Sequence, residues 1–495
     1  MEIEDQNDGE NNALHKMEEE LPSDRKFGCL QHIKNAVLNI TVEPIAFLYV
    51  APRLLCGLAL ENLYLEKACL VNLSLNETIC HAMVVRNRSG YGVEDEIAVQ
   101  EVVSRMLPYK SIFHIFQIIC ILIIGGWCDR SGKRRPMFVV PYIGDMTAVL
   151  GYILCVYFFM DLGAEYPVIM ESVFSIGLGG IPLVMAGMYS YVATISDTKS
   201  RTVRVGAVSI VLRASLTLGI GASGFAYKYF GFYGVFFIAL GFNVIGFIYI
   251  FTIVKNVSPN NSNCGNGKEK QCCQLLWNGV RGSLVECFQI CFKSGPNRRR
   301  TRMILLQLTN ILSFGVMLAE GSVLYLYSRR QFGWDEVDFS IFKFYRTIVE
   351  ISGCIFVLVF LSKYMRWNDG QIALLAVASR IIGITIMATG QSGLFLYIGT
   401  LADVFNGAII IAVRSLITKT VNKNELALAN SLTGLFDSLG FLLIGTLYAY
   451  VYYSTLAIFP GTFFVVSLIT YIPILIMLLI IKNIVYGNNI HKEEE

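Results

Sequence analysis

The chain has 495 residues, of which 54% are hydrophobic and only 16% are charged, whereas about a quarter of an ordinary soluble domain is charged. Its apolar residues form long blocks along almost the whole chain, and a net charge of +3 is too small to indicate a nucleic-acid partner. The sequence therefore predicts an all-α integral membrane protein in contact with the lipid bilayer, and it excludes a single soluble core.

Twelve apolar blocks are long enough to cross a membrane as helices, since a span needs roughly 20 mostly apolar residues. In chain order the predicted spans are Thr41–Leu63, Tyr109–Trp127, Met137–Phe159, Val168–Ile195, Val205–Tyr227, Tyr233–Val254, Met303–Tyr327, Ile341–Leu361, Gln371–Ala388, Leu394–Ile417, Leu426–Tyr450 and Phe459–Ile481. A polar linker, 255–302, divides them into two six-helix bundles, 41–254 and 303–482. Residues 1–40 and 483–495 are predicted to be tails. Such a repeat of bundle size is typical of secondary transporters.

Lysine and arginine are distributed unequally between the two sides of this predicted bundle. The short loops on one side carry eleven of these residues and the loops on the other side carry three. Because basic loops are retained in the cytoplasm, the richer side and both tails are predicted to be cytoplasmic. The long loop 64–108 then faces the exterior or a lumen, so the topology fits a plasma membrane or a lysosomal membrane.

The loop 64–108 carries features of an exported segment. It contains three Asn-X-Ser/Thr sequons, which are glycosylation acceptors only outside the cytoplasm, at Asn72, Asn76 and Asn87. Cys69 and Cys80 lie in the same loop, and in an oxidising compartment they form either a disulfide or two free thiols.

Neither a metal site nor a nucleotide site is visible in the sequence. No histidine or cysteine cluster has the spacing of zinc ligands, and the phosphate-binding pattern G-x-x-x-x-G-K-S/T does not occur. We therefore expect no metal, no cofactor and no direct use of ATP. A membrane enzyme is disfavoured, because the spans lack His/Asp/Glu clusters with catalytic spacing.

The segment 125–136, GGWCDRSGKRRP, joins the second and third predicted spans. It fits the pattern G-x-x-x-D-R-x-G-K/R-R of the major facilitator superfamily. Asp129 is suited to accept hydrogen bonds from a neighbouring helix end or to pair with a basic residue, in contacts that hold one conformation and break in another. We therefore predict that Asp129, Arg130 and Arg134 take part in gating. The alternative is a basic cytoplasmic loop with an incidental aspartate.

Ionisable residues inside spans are expensive, so each is a candidate for function unless it is paired with another. They are Arg53, Arg213, Arg346, Arg380, Arg414, Glu43, Asp145, Glu320, Glu350, Asp403 and Asp437. Arg414 is the favoured substrate-binding residue, because its apolar helix offers no acidic residue one turn away and arginine suits bidentate capture of an anion. Arg53 and Arg380 are further substrate-binding candidates, and Glu43 and Glu320 are candidates for proton coupling.

Several short motifs together resemble the proton-coupled folate transporter family, which includes the thymic stromal cotransporter and related lysosomal carriers. The motifs are Val42–Leu48, Gln100–Val102, the 125–136 loop, Tyr191–Ala193, Lys199–Arg204, Trp334-Asp335 and Val413-Arg414. The resemblance covers Val42 to Ile481. It implies the major facilitator fold, alternating access and, in the best known member, proton-driven uptake of folates. It also implies that the family's cation in span ten is Arg414 and that its loop aspartate is Asp129.

The chain departs from this family at the residues that carry protons and substrate. Ser209 stands in place of a span-five glutamate, Gly180 in place of a span-four aspartate, and Val316 close to the position of a histidine. Glu320 lies one helical turn beyond Val316. Gly333 replaces a loop cysteine of the family, which leaves Cys80 as the alternative partner of Cys69.

The leading hypothesis is a transporter that moves a small organic anion, folate-like or different, by alternating access between two bundles. Coupling to protons and facilitated diffusion both remain open at this point. The alternative is a transporter-like sensor or receptor that binds its ligand without moving it.

Overall fold

The computed structural model describes residues 41–87, 89–131, 133–195, 198–254, 289, 291–295, 298–421 and 425–493. These residues form helices joined by short turns, with no strand among them. The predicted N-terminal tail, 1–40, and most of the predicted linker, 255–302, lie outside the described residues.

Fifteen α-helices follow one another along the described chain. They are α1 Glu43–Lys67, α2 Glu77–Val84, α3 Val93–Ile112, α4 His114–Ser131, α5 Pro136–Tyr157, α6 Glu165–Met170, α7 Gly180–Ile195, α8 Thr198–Ile253, α9 Arg299–Phe332, α10 Glu336–Phe356, α11 Asp369–Thr389, α12 Leu394–Ala402, α13 Asn406–Thr420, α14 Leu426–Thr455 and α15 Thr462–Glu493. Three of them, α1, α6 and α10, continue into π-helical turns, at Ala68–Asn72, Glu171–Ile176 and Val357–Tyr364.

Eleven segments of the described chain are long and apolar enough to cross a membrane. One of them, Ala207–Ile253, is 47 residues long and contains Gly231, whose φ of 61° and ψ of −168° are not helical. Glycine adopts a positive φ without the steric cost that a Cβ imposes. Gly231 therefore divides this segment into two spans, and the predicted all-α fold with twelve spans is confirmed.

The spans are numbered here in chain order. Span one is α1, span two α3 with α4, span three α5, span four α6 with α7, spans five and six the parts of α8 before and after Gly231, span seven α9, span eight α10, span nine α11, span ten α12 with α13, span eleven α14 and span twelve α15.

The predicted outer loop 64–108 differs from the structure, in which most of it is helical. Span one runs through its π-helical turn to Asn72, and span two begins at Val93 rather than at Tyr109. The first two turns of α3 carry Glu94, Asp95 and Glu96, so a search for apolar residues places the beginning of this span too late.

Each end of the molecule has a recognisable marker. Cys69 and Cys80 form a disulfide, with Cα atoms 5.9 Å apart, and we call the end that carries it the disulfide end. The 125–136 segment marks the opposite end, which we call the loop end. Here Arg135 donates to the backbone carbonyl oxygens of Val254 (2.5 Å) and Phe251 (3.2 Å), which holds the segment against the end of span six.

Spans one to six form the N-bundle and spans seven to twelve form the C-bundle. The two bundles meet where span five packs on span eight and where span two packs on span eleven. Spans five and eight approach closely at Gly224. A methyl group at this position would lie only 2.6 Å from the carbonyl carbon of Glu336 and from Ser340 Oγ. The absent side chain lets the two backbones meet closely.

Candidate functional site

A buried charge cluster occupies the C-bundle. The guanidinium of Arg380 in span nine is 0% exposed and forms ion pairs with Glu320 of span seven and Asp403 of span ten. Glu320 also accepts a hydrogen bond from Ser467 Oγ at 2.6 Å in span twelve and lies 3.8 Å from Arg346 of span eight. Five helices are therefore joined by a polar network that has no direct access to water at its centre.

The cluster contains two of the residues predicted from sequence, and it changes the role of one. Arg380 was predicted to bind substrate, but both of its faces are used by carboxylates and by the ring of Tyr471, 5.6 Å away. Removing one partner of such a buried pair leaves an uncompensated charge, so Arg380 holds the C-bundle together in this conformation. Glu320 was predicted to carry a proton, and it lies between two arginines.

A smaller buried pair occupies the N-bundle. Arg53 of span one contacts Asp145 of span three at 2.5 Å, and Ser175 hydrogen-bonds with both residues. The side chain of Arg53 is 19% exposed, whereas that of Asp145 is 4% exposed.

The argument that favoured Arg414 from sequence is wrong in one respect, because Arg414 is not unpaired. It lies 2.5 Å from Asp437, which belongs to span eleven and so escapes a search along its own helix. Asn310 of span seven donates to the other oxygen of Asp437 at 2.7 Å. The side chain of Arg414 is nevertheless 46% exposed, and its guanidinium lies 5.9 Å from the centroid of the Phe314 ring.

Arg213 and Lys343 are two further cations in the described spans that lack a carboxylate partner. Arg213 of span five is exposed, and Lys343 of span eight is half-buried. Neither forms an ion pair with any described residue. A span cation without an acidic partner, as predicted for Arg414, is therefore found at Arg213 and Lys343. Arg213 was named among the ionisable span residues, and Lys343 was missed.

Three charged residues of the N-bundle were also missed. Lys110 of span two pairs with Glu171 of span four at 2.6 Å, and Tyr64 donates to the same carboxylate at 2.7 Å. Glu61 of span one is half-buried, and its Oε2 is fully buried without a hydrogen-bond partner. Glu61, Glu171 and Lys343 all lie within four residues of an end of their predicted span, where a charged residue is ordinarily taken to be interfacial.

The residues predicted to gate transport are only partly described. The side chains of Asp129 and Arg130 lie outside the described part of the structure, as does Gly132. Arg134 is half-buried at the loop end. Glu43 accepts hydrogen bonds from the backbone N–H groups of Thr41 (2.8 Å) and Val42 (3.0 Å), so it stabilises the beginning of span one.

The two bundles are bonded to one another near the disulfide end. The bonds join spans one and seven, two and seven, two and eleven, and five and eight. They are Tyr325 Oη to Asn62 Oδ1 (2.6 Å), Gln100 Nε2 to the Leu326 oxygen (3.3 Å), Tyr452 Oη to Gln100 Oε1 (2.8 Å) and the Gly224 nitrogen to Ser340 Oγ (2.8 Å). The structure is therefore a conformation in which the disulfide end is closed.

The three sequon asparagines lie at this same end and are exposed. Asn76 Oδ1 accepts from Thr78 N and Thr78 Oγ1 at 3.0 Å, and Asn87 Oδ1 accepts from Ser89 Oγ at 2.6 Å. The amide nitrogen of Asn72 instead donates to Glu165 at 2.6 Å. The amide nitrogen that would carry a glycan is therefore hydrogen-bonded to a carboxylate in Asn72, whereas Asn76 and Asn87 accept these bonds through their side-chain oxygens.

The family follows from the sequence and the fold together. The chain matches the Major Facilitator Superfamily over residues 111–390 and belongs to that superfamily. It is a multi-pass membrane transporter and not an enzyme, as its sequence predicted.

The curated relatives belong to one solute-carrier family. The chain is 21% identical over 438 residues to the "Probable peptidoglycan muropeptide transporter SLC46" of Drosophila melanogaster, covering 86% of this chain and 82% of that protein. It is 21% identical over 345 residues to the lysosomal proton-coupled steroid conjugate and bile acid symporter SLC46A3 of Mus musculus, covering 68% and 71%. The predicted resemblance to this group of carriers is confirmed.

Solved structures share the fold. The human organic anion transporter MFSD10 (TETRAN) superposes with a TM-score of 0.56 at 15% identity, covering 88% of this chain and 98% of that one. A POT peptide transporter in complex with sulfate superposes with a TM-score of 0.57 at 14% identity, covering 90% and 96%. At these identities the likeness shows the fold alone.

Proposed function

We propose that this transporter moves an organic anion across the membrane by alternating access and that protons drive the movement. The observation that carries the proposal is Arg213, an arginine within a span that is exposed and has no carboxylate partner among the described residues. A cation at membrane depth is costly unless it faces water or an anion. A permanently charged, unpaired guanidinium there is suited to bind a carboxylate, sulfate or phosphate group.

The position of Arg213 supports a cleft between the bundles rather than the lipid. It lies 11 residues before Gly224, which is about three helical turns, so the two residues share one face of span five. Gly224 touches span eight at the closed end. The exposure of Arg213 on the same face is what we expect if the bundles diverge from the Gly224 contact towards the loop end.

Two partly exposed arginines complete the proposed anion site. Arg53 and Arg414 each pair with an aspartate, and their side chains are 19% and 46% exposed. Half-neutralised guanidinium groups attract an anion less strongly than Arg213 but supply directed N–H donors. The proposed site thus uses both bundles, as alternating access requires, and Arg380 supports it from within the C-bundle.

Glu320 is the proposed proton-coupling residue. Glu320 forms an ion pair with Arg380 and lies 3.8 Å from Arg346. Protonation of its carboxylate would remove the negative charge and so weaken the links between spans seven, eight and nine. The mouse relative is named as a proton-coupled symporter, which favours the same energy source here. Steroid conjugates and muropeptides, the solutes named for the relatives, are the organic anions to be tested first.

The proposed orientation places the disulfide end outside the cytoplasm and both termini inside it. The disulfide and the exposed sequons support this orientation, because both modifications belong to an oxidising, glycosylating compartment. A lysosomal membrane and the plasma membrane are both compatible with it, and the mouse relative is lysosomal.

The test is uptake of a solute panel by cells that express the Arg213→Gln variant. The panel contains folates, sulfated steroids and muropeptide-like compounds, each at acidic and at neutral pH. We expect Arg213→Gln to lower anion uptake at least tenfold with normal surface expression, while the matched Arg213→Lys variant keeps uptake within a few-fold of the wild type. Unchanged uptake by Arg213→Gln would show that the anion site lies elsewhere.

A further inference from the structure

Glu61 is a carboxylate without a partner in the described structure. It lies in span one next to Asn62. The side chain of Asn62 accepts a hydrogen bond from Tyr325 of the C-bundle and so joins the two bundles at the disulfide end. Its Oε2 is fully buried and bonds to nothing, and no cationic nitrogen of a described residue lies within 4.0 Å. Burying such a group without a hydrogen bond costs free energy, so a missing binding partner is indicated.

Lys343 is the matching cation in the other bundle. Its Nζ lies 4.0 Å from the place where a Cβ on Gly321 would stand, and 5.4 Å from the centroid of the Phe339 ring. No carboxylate oxygen of a described residue lies within 4.0 Å of it. The missing side chain at Gly321 leaves space beside the ammonium on span seven.

Glu61 and Lys343 lie near the same contact between the bundles. Lys343 Nζ lies beside Gly321, which is one helical turn before Tyr325 on span seven. Tyr325 Oη donates at 2.6 Å to the side chain of Asn62, the neighbour of Glu61 on span one. A carboxylate of span one and an ammonium of span eight, neither of them in an ion pair with a described residue, therefore lie near this contact.

These two groups stay without an ion pair in the conformation in which the disulfide end is closed. Rocking of the bundles separates the closed end, and Glu61 lies beside a contact of that end. Opposite charges that do not pair with one another even here are both available to a bound solute.

We propose that Glu61 binds the ammonium group and Lys343 a carboxylate group of the same solute. The transported organic anion would then carry an amino group in addition to its acid groups, as amino acids and peptides do. This inference rests on the proposed anion transport and names the chemical class of its solute. It excludes sulfated steroids and other anions without an amine as the preferred solutes.

The test compares two probes that differ by one charge. They are the dipeptide alanyl-glutamate with a free amino terminus and the same dipeptide with an acetylated amino terminus, measured for binding to the purified full-length protein and for uptake by cells. We expect the wild type to bind the free amine at least tenfold more tightly. Glu61→Gln should abolish this preference without changing the affinity for the acetylated probe, and Lys343→Gln should weaken both probes about tenfold.

Glu66→Gln is the matched control, because Glu66 lies on the same span but already accepts a hydrogen bond from Tyr227 at 3.0 Å. It should keep the preference for the free amine. The wild-type preference itself tests the inference even if a variant fails to fold. Equal binding of the two probes by the wild type, or a preference that survives Glu61→Gln, would overturn the inference. Uptake of sulfated steroids that depends on Arg213, without binding of either dipeptide, would also overturn it and leave the proposed function intact.

Discussion

The contact at Gly224 makes a quantitative prediction about the closed end. Gly224→Ala would place a methyl carbon 2.6 Å from Ser340 Oγ and from the carbonyl carbon of Glu336. These separations are roughly 1 Å shorter than an ordinary contact between such atoms. Because backbone lies on the opposite side, the strain can be relieved only by moving spans five and eight apart.

The size of the effect follows from the cost of overpacking. Forcing one extra methyl group into a well-packed contact costs about 1–3 kcal/mol. The contact is made only when the disulfide end is closed, so this cost falls on one of the two conformations that alternating access requires. A difference of even 1 kcal/mol changes their ratio about fivefold. We expect Gly224→Ala to shift the population towards the open disulfide end.

The shift can be measured as a distance between the bundles. Tyr229 and Ile458 are highly exposed at the disulfide end, one in each bundle, and spin labels on cysteines introduced there would report its opening. Reactive native cysteines would first be replaced by serine. Gly224→Ala should increase the ratio of long to short distances about fivefold or more.

Two further glycines serve as controls for this prediction. A methyl group at Gly219 would clash with the backbone oxygen of Ala51 at 2.6 Å, within the N-bundle, so Gly219→Ala should lower thermal stability without changing the label distances. Gly241 has no heavy atom within 4 Å, so Gly241→Ala should change neither. Unchanged distances in Gly224→Ala, or the same shift in Gly219→Ala, would refute the reasoning.

Three more predictions concern buried charge and the disulfide end. Glu320→Gln should lower stability by about 3–5 kcal/mol, seen as loss of folded protein after detergent extraction, because it removes one of the two carboxylates that neutralise the buried Arg380. An equal loss in the more exposed Glu350→Gln would contradict this. Asn76→Gln and Asn87→Gln should each increase gel mobility by an amount that corresponds to the loss of one glycan. Asn72→Gln should not, since the Asn72 amide nitrogen is bonded to Glu165. A shift for Asn72→Gln would show that this bond does not prevent glycosylation. Cys80→Ser should lower the free energy of unfolding by about 2–3 kcal/mol, measured by thermal unfolding, because the disulfide closes a loop of about a dozen residues. Equal stability of the wild type with and without reductant would contradict this prediction.

The sequence predicted the spans because hydrophobic blocks report membrane depth directly. It failed at the beginning of span two, where Glu94, Asp95 and Glu96 interrupt the apolar signal although the helix has already begun. Residues at the ends of spans can contact water, lipid headgroups or other helices. Composition alone does not distinguish between these surroundings.

The partners of the charged residues could not be predicted in the same way. Asp437 neutralises Arg414 from a different helix, 23 residues away, so no periodicity within span ten reveals it. The same holds for Asp403, which reaches Arg380 from span ten. A list of ionisable span residues therefore contains the right candidates, while the division into paired and unpaired residues depends on tertiary packing.

That division carries a mechanistic consequence. Pairs enclosed within one bundle, such as Arg53 with Asp145, move with that bundle, so their surroundings change little between conformations. For charges that are not neutralised in their own bundle, namely Arg213, Glu61 and Lys343, we expect the surroundings to change when the bundles rock. A solute shifts a conformational equilibrium only through groups whose interaction with it differs between the two states.

We therefore expect variants of the two classes to fail in different ways. Arg213→Gln should reduce uptake while the unfolding temperature in detergent stays within about 2 °C of the wild type, since no pair is broken. Arg53→Gln should lower both the unfolding temperature and uptake, because it leaves Asp145 buried without its cation and also removes one contact of the proposed anion site. If Arg53→Gln abolishes uptake at wild-type stability, then the pair with Asp145 does not stabilise the fold, and Arg53 acts only as an anion contact.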